Sequence, residues 1–246
     1  MKHRALALVS ARNASGAWRA PLTWLLDALL PRRCPICAAR GNGFCPDCRE
    51  LLPWIVVGCE VCGMELHQAG VCGECQSGRR YYDRAVIPFK YSEPVSAQIK
   101  ALKYRGQLRH AHDLAAMICT RVWNDSREMP AVLVPIPLHR KRLRQRGFNQ
   151  SLEVARSIGD ELGIEVDHAL LARIKHTIPQ TGLSKSARAK NVKGAFQANT
   201  KAKANAIAHI ALVDDVVTSG STANEAARAL KAAGVKTVSI WAAART

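Results

Sequence analysis

The sequence predicts an α/β domain with a central, mostly parallel sheet, preceded by a small cysteine-rich module. Three observations carry this reading. Four Cys-x-x-Cys pairs crowd into residues 34–75. Over residues 207–241 an apolar run, a Gly/Ser/Thr turn, an alanine-rich helix pattern and a second apolar run follow in order, which is the layout of a βαβ unit. Upstream, an apolar run at 132–134 leads through a strongly basic stretch into another helix pattern, the same strand-to-helix arrangement.

A chain of 246 residues has room for one ordinary domain plus a smaller one. Its 48% hydrophobic content suits a packed core. No window approaches the roughly 18 apolar residues of a membrane span, so no span is expected. Lys2 and Arg4 precede an apolar run over residues 5–9 that is shorter than the h-region of a signal peptide, so a flexible start is expected rather than a targeting signal. The net charge of +17 narrows partners to polyanions: nucleic acid, a phosphorylated metabolite or an acidic protein surface. A merely soluble basic protein is the bland alternative.

Residues 18–30 carry Trp18, Leu22, Leu25, Leu26, Leu29 and Leu30 at roughly helical spacing, stopped by Pro31. A short amphipathic helix packing on its own protein is expected there, in preference to a membrane or partner anchor. Eight of the nine cysteines follow as Cys34/Cys37, Cys45/Cys48, Cys59/Cys62 and Cys72/Cys75. Such pairs bend the backbone so that both sulfurs face one centre, and two pairs supply the four thiolates of a tetrahedral zinc site. This is metal spacing rather than a disulfide framework, and it points to an intracellular, cytoplasmic chain. Gaps of seven residues (38–44) and nine residues (63–71) favour sequential pairing into two structural zinc sites, with a cross-braced pairing the alternative. Zinc would supply most of the folding free energy of so small a segment. Such ribbons either bind nucleic acid or hold domains together.

Residues 78–80 read as a linker and residues 81–91 as a β-rich segment. Helices are expected over 95–105 and along the face of Ala111, Leu114, Ala115, Ile118 and Val122, with Cys119 a small buried hydrophobe. After strand 132–134, residues 138–150 form a cationic loop with five Arg or Lys between Arg140 and Arg146, leading into a helix with Leu152, Ala155, Ile158 and Leu162. A cationic loop between a strand's C-terminal end and a helix start marks a site in open α/β sheets. Residues 168–213 hold eight Lys or Arg and no acid, including Arg173, Lys185, Arg188 and Lys193, together with Gln180 and Asn191. They suggest a flap or hairpin closing over an anion. In the last unit, strand 207–213 ends in Asp214 and Asp215, Val216 and Val217 follow, and Thr218 to Thr222 form a turn before helix 223–233 and strand 235–241. Backbone N–H groups at the helix start, with the hydroxyls, suit a phosphate. The acids beside it should face sugar hydroxyls or a divalent cation.

Residues 210–222 (IALVDDVVTSGST) resemble the thirteen-residue phosphoribosyl pyrophosphate motif of type I phosphoribosyltransferases. The remaining parts resemble the ComF family, whose members carry an N-terminal zinc ribbon. The matching pieces are the cysteine pairs, Leu102–Tyr104, the Val134–Pro137 run, Arg146 to Gln150, and the run from Arg188 through Asn191 to Phe196. The likeness covers about residues 31–246, and it departs from the common motif at Ser219, which keeps a hydroxyl. It implies a type I phosphoribosyltransferase-like fold over residues 81–246, a double zinc ribbon over 31–78 and an N-terminal segment over 1–30. It further implies that Thr218, Ser219, Gly220, Ser221 and Thr222 hold the ribose 5-phosphate. Asp214 and Asp215 would meet the ribose hydroxyls, directly or through Mg²⁺. Lys103 and the loop with Arg140, Arg142, Arg144 and Arg146 would serve the pyrophosphate, and Arg188 would close over the leaving group.

The chemistry of such a site is loss of pyrophosphate from C1 of the ribose as a nitrogen nucleophile attacks, with cations stabilising the departing charge. No side-chain nucleophile is required, and the scattered histidines read as surface residues. Two function classes stand: a Mg²⁺-dependent phosphoribosyltransferase with an unspecified base acceptor, and a non-catalytic protein that senses phosphoribosyl pyrophosphate or handles DNA. The family implies a link to uptake of single-stranded DNA, with other competence proteins as partners.

Overall fold

The computed structural model describes residues 33–41, 43–78, 80–125, 127–177, 184–199 and 207–246. The helix expected over residues 18–30, the start at 1–9, and Gln180 lie outside these residues. The chain divides into two compact units, one ending at Arg49 and the other spanning Glu50–Thr246.

In the first unit, residues 33–41 make a tight knuckle. Arg33 and Arg40 form an antiparallel bridge, Cys34 N–H donates to the Ala39 carbonyl (2.8 Å) and Ala38 N–H to the Cys34 carbonyl (3.0 Å). Helix α1 (Pro46–Glu50) follows Cys45. The second unit opens with the same device. Gly58 bridges Glu65, Cys59 N–H donates to the Met64 carbonyl (2.7 Å) and Gly63 N–H to the Cys59 carbonyl (2.9 Å), and helix α2 (Gly73–Ser77) starts after Cys72.

The rest of the second unit is mixed α/β. Strands β1 (Arg84–Val86) and β2 (Phe89–Lys90) precede helices α3 (Val95–Arg105) and α4 (Arg109–Trp123). Strand β3 (Val132–Pro135), helices α5 (Arg140–Arg146) and α6 (Gln150–Leu162) and strand β4 (Glu165–Val166) come next. Strands β5 (Leu171–Arg173) and β6 (Phe196–Ala198) flank helix α7 (Lys185–Val192). Strand β7 (His209–Val217), helix α8 (Ser221–Ala232) and strand β8 (Thr237–Arg245) close the chain. The main sheet runs β1-β8-β7-β3-β4 with β2 also paired to β8, and every one of these pairings is parallel.

Alternation along the strands sorts the two faces. Val132 and Val134, Ile210 and Leu212, and Val238 and Ile240 share one core cluster with Ala226, Ala227 and Leu230 of α8. Cys59, Cys62 and Ile55 belong to the same cluster. The second cysteine module is thus part of the domain's apolar core.

Several expectations change. Residues 140–146 form a helix and not a loop. Arg and Lys are good helix formers, His139 Nδ1 accepts from the Lys141 N–H, and Gly147 (φ 82°) ends the turn with its N–H on the Leu143 carbonyl. Strand β7 runs through both acids to Val217 because β8 continues beside it, pairing Asp214 with Ala242 and Val217 with Arg245. The acid-free region, expected as a flap or hairpin, does contain an antiparallel pair, β5 with β6, around α7. Arg80 is no solvated linker residue, since it is mostly buried and ion-paired with Glu74. His110 and His209 are buried, against the surface reading: His110 bonds Gln107 and His209 bonds Ser239 (both 3.0 Å). Cys119 is fully buried as expected, and burial pushes its thiol up.

Candidate functional site

Strands β3 and β7 are neighbours, yet the chain leaves them in opposite directions: β3 leads through α6 to β4 on one side, and β7 through α8 to β8 on the other. A crevice opens at the carboxyl ends of two such strands, where no connection covers the sheet. A cavity of about 390 Å³ lies there. Asp214, Asp215, Thr218, Gly220 and Thr222 line it from the β7–α8 side, and Arg142, Arg146, Gln150 and Ser151 from the β3–α6 side. Lys103 and Tyr104 of α3 line it too, with Arg173 of β5 and Arg188 of α7.

The two acids have different partners. Lys103 Nζ lies 2.5 Å from Asp215 Oδ2, and Gln150 Nε2 donates to Asp215 Oδ1 (3.4 Å). Ser151 Oγ donates to Asp214 Oδ1 (2.9 Å). Burial, and then the Asp215 charge beside it, push the Asp214 carboxyl up to about 7, while Lys103 pulls the other way. Burial opposes the charge on Lys103, but the Asp215 carboxylate outweighs it and the ammonium is held above its ordinary range. A buried carboxylate paired with a partly buried ammonium is kept in one position by the cost of separating them.

At the start of α8, Gly220 takes the left-handed conformation (φ 75°). A Cβ there would lie 3.0 Å from the Tyr82 hydroxyl and 3.8 Å from an Arg80 nitrogen, so the position needs glycine for both conformation and space. Ser219 and Ser221 join their hydroxyls at 2.8 Å. Neither lines the cavity, whereas Thr218 and Thr222 do.

Helical periodicity sorts the basic stretch. Arg142 and Arg146, four residues apart on α5, share the cavity side, while Arg140 and Arg144 are exposed and do not line it. Gln150 entered the sequence reading only as the end of the Arg146–Gln150 run, Ser151 not at all, and Arg173 only among the basic residues of the flap. The first two lie at the start of α6, directly after the Arg146–Asn149 turn, which was the available signal. Arg173 was one basic residue among eight. Its guanidinium packs over the Phe196 ring at 5.3 Å.

Two groups among the described residues are arranged to hold a metal ion: Cys34, Cys37, Cys45 and Cys48, and separately Cys59, Cys62, Cys72 and Cys75. The ligand atoms within each group lie within 4.8 Å of one another. The Cys37–Cys45 and Cys62–Cys72 sulfurs approach to 3.6 Å, close to the ~3.8 Å expected on the edge of a tetrahedral zinc–thiolate site. The groups follow the sequential pairing and fit two structural zinc ions. No helix among the described residues is long and apolar enough to cross a membrane.

Comparison with known proteins agrees with this anatomy. The double zinc ribbon domain family matches residues 25–76. Competence protein F of Haemophilus influenzae is 33% identical over 209 residues, 83% of this chain and 91% of that protein. DNA utilization protein YhgH of Escherichia coli K12 is 30% identical over 226 residues, 88% of this chain and 98% of its own length. Competence protein ComFC of Bacillus subtilis is 26% identical over 207 residues, covering 80% and 82% of the two chains.

Proposed function

The chain belongs to the competence protein F family, and from that premise we propose that its α/β domain is a type I phosphoribosyltransferase-like domain whose cavity binds phosphoribosyl pyrophosphate with Mg²⁺. The observation that carries the proposal is the set of groups gathered in one cavity: two carboxylates, a hydroxyl-bearing helix start and four arginines. A ligand with a phosphate, sugar hydroxyls and a pyrophosphate calls for that set.

In this reading Thr218, Gly220 and Thr222 receive the 5-phosphate at the start of α8. Asp214 and Asp215, oriented by Ser151 and Gln150, accept from the ribose hydroxyls. Arg142, Arg173 and Arg188 face the pyrophosphate. Two carboxylates beside a phosphate site are a donor set that suits Mg²⁺, which binds through one or two carboxylates together with substrate phosphates. When bound, the cation neutralises charge on the pyrophosphate. In a transfer reaction the C1–O bond to pyrophosphate breaks as a C1–N bond forms, and the arginines hold the departing anion while α7 and its flanking strands exclude water. A non-catalytic sensor would use the same contacts without turnover. The names of the relatives, together with the +17 charge, support a role in DNA uptake or use, with single-stranded DNA and other competence proteins as partners.

Calorimetry with phosphoribosyl pyrophosphate and Mg²⁺ tests the assignment. The double change Asp214→Ala, Asp215→Ala is expected to weaken binding at least about tenfold, or about 1.4 kcal/mol, and unchanged affinity would remove the assignment. Pyrophosphate release with a panel of bases then separates the enzyme from the sensor.

A further inference from the structure

The ribose, its phosphate and the pyrophosphate leave one wall of the cavity without a task. Tyr104, in the last turn of α3, lines the cavity and is nevertheless 74% exposed. Trp123 and Tyr81, the other exposed large aromatics among the described residues, do not line it.

The tyrosine is held in place with respect to the acids. Successive residues of a helix point about 100° apart, so with Lys103 turned inward to Asp215, Tyr104 stands at the rim. The Arg146 guanidinium lies 5.7 Å from its ring centroid. Arg146 also donates to Gln150 Oε1, and Gln150 donates onward to Asp215. The end of α3 and the turn after α5 are themselves close, since a Cβ on Gly106 would sit 4.0 Å from the Phe148 ring. Arg146 thereby ties the ring to Gln150 and, through it, to Asp215. An exposed aromatic backed by an arginine contributes little to folding, but it presents a flat π surface of the kind on which bases stack.

We propose that Tyr104, backed by Arg146, is the stacking platform for a planar heteroaromatic base joined to, or held beside, C1 of a ribose phosphate. This rests on the phosphoribosyl reading of the cavity and adds the chemical class of what occupies its open wall.

The test compares ribose 5-phosphate with adenosine and uridine 5′-monophosphates by calorimetry on wild type, Tyr104→Phe and Tyr104→Ala. Because the side chain is exposed, neither variant should disturb the fold. At least one monophosphate is expected to bind wild type and Tyr104→Phe about tenfold more tightly than ribose 5-phosphate does. That advantage should vanish in Tyr104→Ala, with ribose 5-phosphate affinity equal in all three proteins. No advantage in wild type, or one that survives in Tyr104→Ala, overturns the platform while leaving the phosphoribosyl reading standing. Absence of phosphoribosyl pyrophosphate binding from wild type instead removes the underlying reading, and the platform with it. A further arm uses a thymidine oligonucleotide without a 5′-phosphate. Tyr104-dependent binding of that strand, without any monophosphate advantage, overturns the proposal in favour of a base carried in DNA.

Discussion

The two four-cysteine modules share a ligand set and a knuckle hydrogen-bond pattern, yet they differ in what they pack against. In the first, Cys34 and Cys48 are buried, Cys37 is exposed, and the module belongs to the compact unit that ends at Arg49. In the second, Cys59 and Cys62 are nearly fully buried and share a core cluster with Ile87 of the β1–β2 connection, Val132 and Val134 of β3 and Ala226 of α8. The segment before it is stitched to the sheet as well, through the Ile55 N–H on the Pro88 carbonyl (2.7 Å) and the Trp54–Phe89 ring contact (4.7 Å). Identical chemistry therefore has different reach. A metal in the first module joins the 33–41 knuckle to helix α1, whereas a metal in the second also supports the core cluster that includes strand β3 and helix α8.

The largest consequence concerns stability. Cys62→Ser should lower the unfolding free energy of the α/β domain by more than about 4 kcal/mol, since metal and core packing go together. Cys37→Ser should leave that transition unchanged. Chemical denaturation followed by tryptophan fluorescence measures both, and equal effects would erase the distinction between the modules.

A smaller effect tests how far the second module extends towards the cavity. Between Cys72 and Cys75, Glu74 holds Arg80, whose guanidinium borders Gly220, and the next residue's backbone N–H, that of Tyr81, donates to Asn224 of α8 (2.8 Å). With Glu74 partly exposed, Glu74→Ala should cost only about 1 kcal/mol. It should nevertheless speed amide exchange across residues 218–222 in the ligand-free protein. Asp47→Ala, at the corresponding helix of the first module, should not. Unaltered exchange in Glu74→Ala would confine the second module to a purely structural role.

The smallest effect sharpens the comparison inside the knuckles. Gly63 occupies the left-handed turn of the second (φ 68°), whereas Ala38 occupies that of the first (φ 61°). Ala38→Gly should stabilise metal binding in the first module by about 1 kcal/mol, read in a chelator competition. The reverse change, Gly63→Ala, would bring a Cβ to 3.0 Å from Ile87 Cδ1 and weaken the second.

Much of this architecture was legible in the chain because it is local. Cysteine spacing set the two metal groups without reference to anything distant. Period-two and helical patterns located β3, α3, α4, α6 and the final βαβ unit to within a few residues. The errors arose where two local signals competed. Five cations over residues 140–146 read as a loop, although the same residues are strong helix formers between a capping histidine and a left-handed glycine. By its apolar pattern the strand carrying the acids stops at Val213, where charge begins, yet β8 keeps pairing with it to Val217. His110 and His209 looked like surface residues because their hydrogen-bond partners, Gln107 and Ser239, are not evident from the chain.

What the sequence by itself determined, then, is the inventory: two four-thiolate groups, a parallel α/β domain, a pair of acids before a Gly/Ser/Thr turn, and a surplus of positive charge. Only the tertiary structure decided how these parts meet. Lys103 lies against Asp215 and Ser151 against Asp214, the second cysteine group lies in the domain core, and Arg146 lies over Tyr104. Each of the contacts at the acids joins residues on different secondary-structure elements, and a side chain's propensity or period carries no record of a neighbour that only the folded sheet brings within a few ångströms.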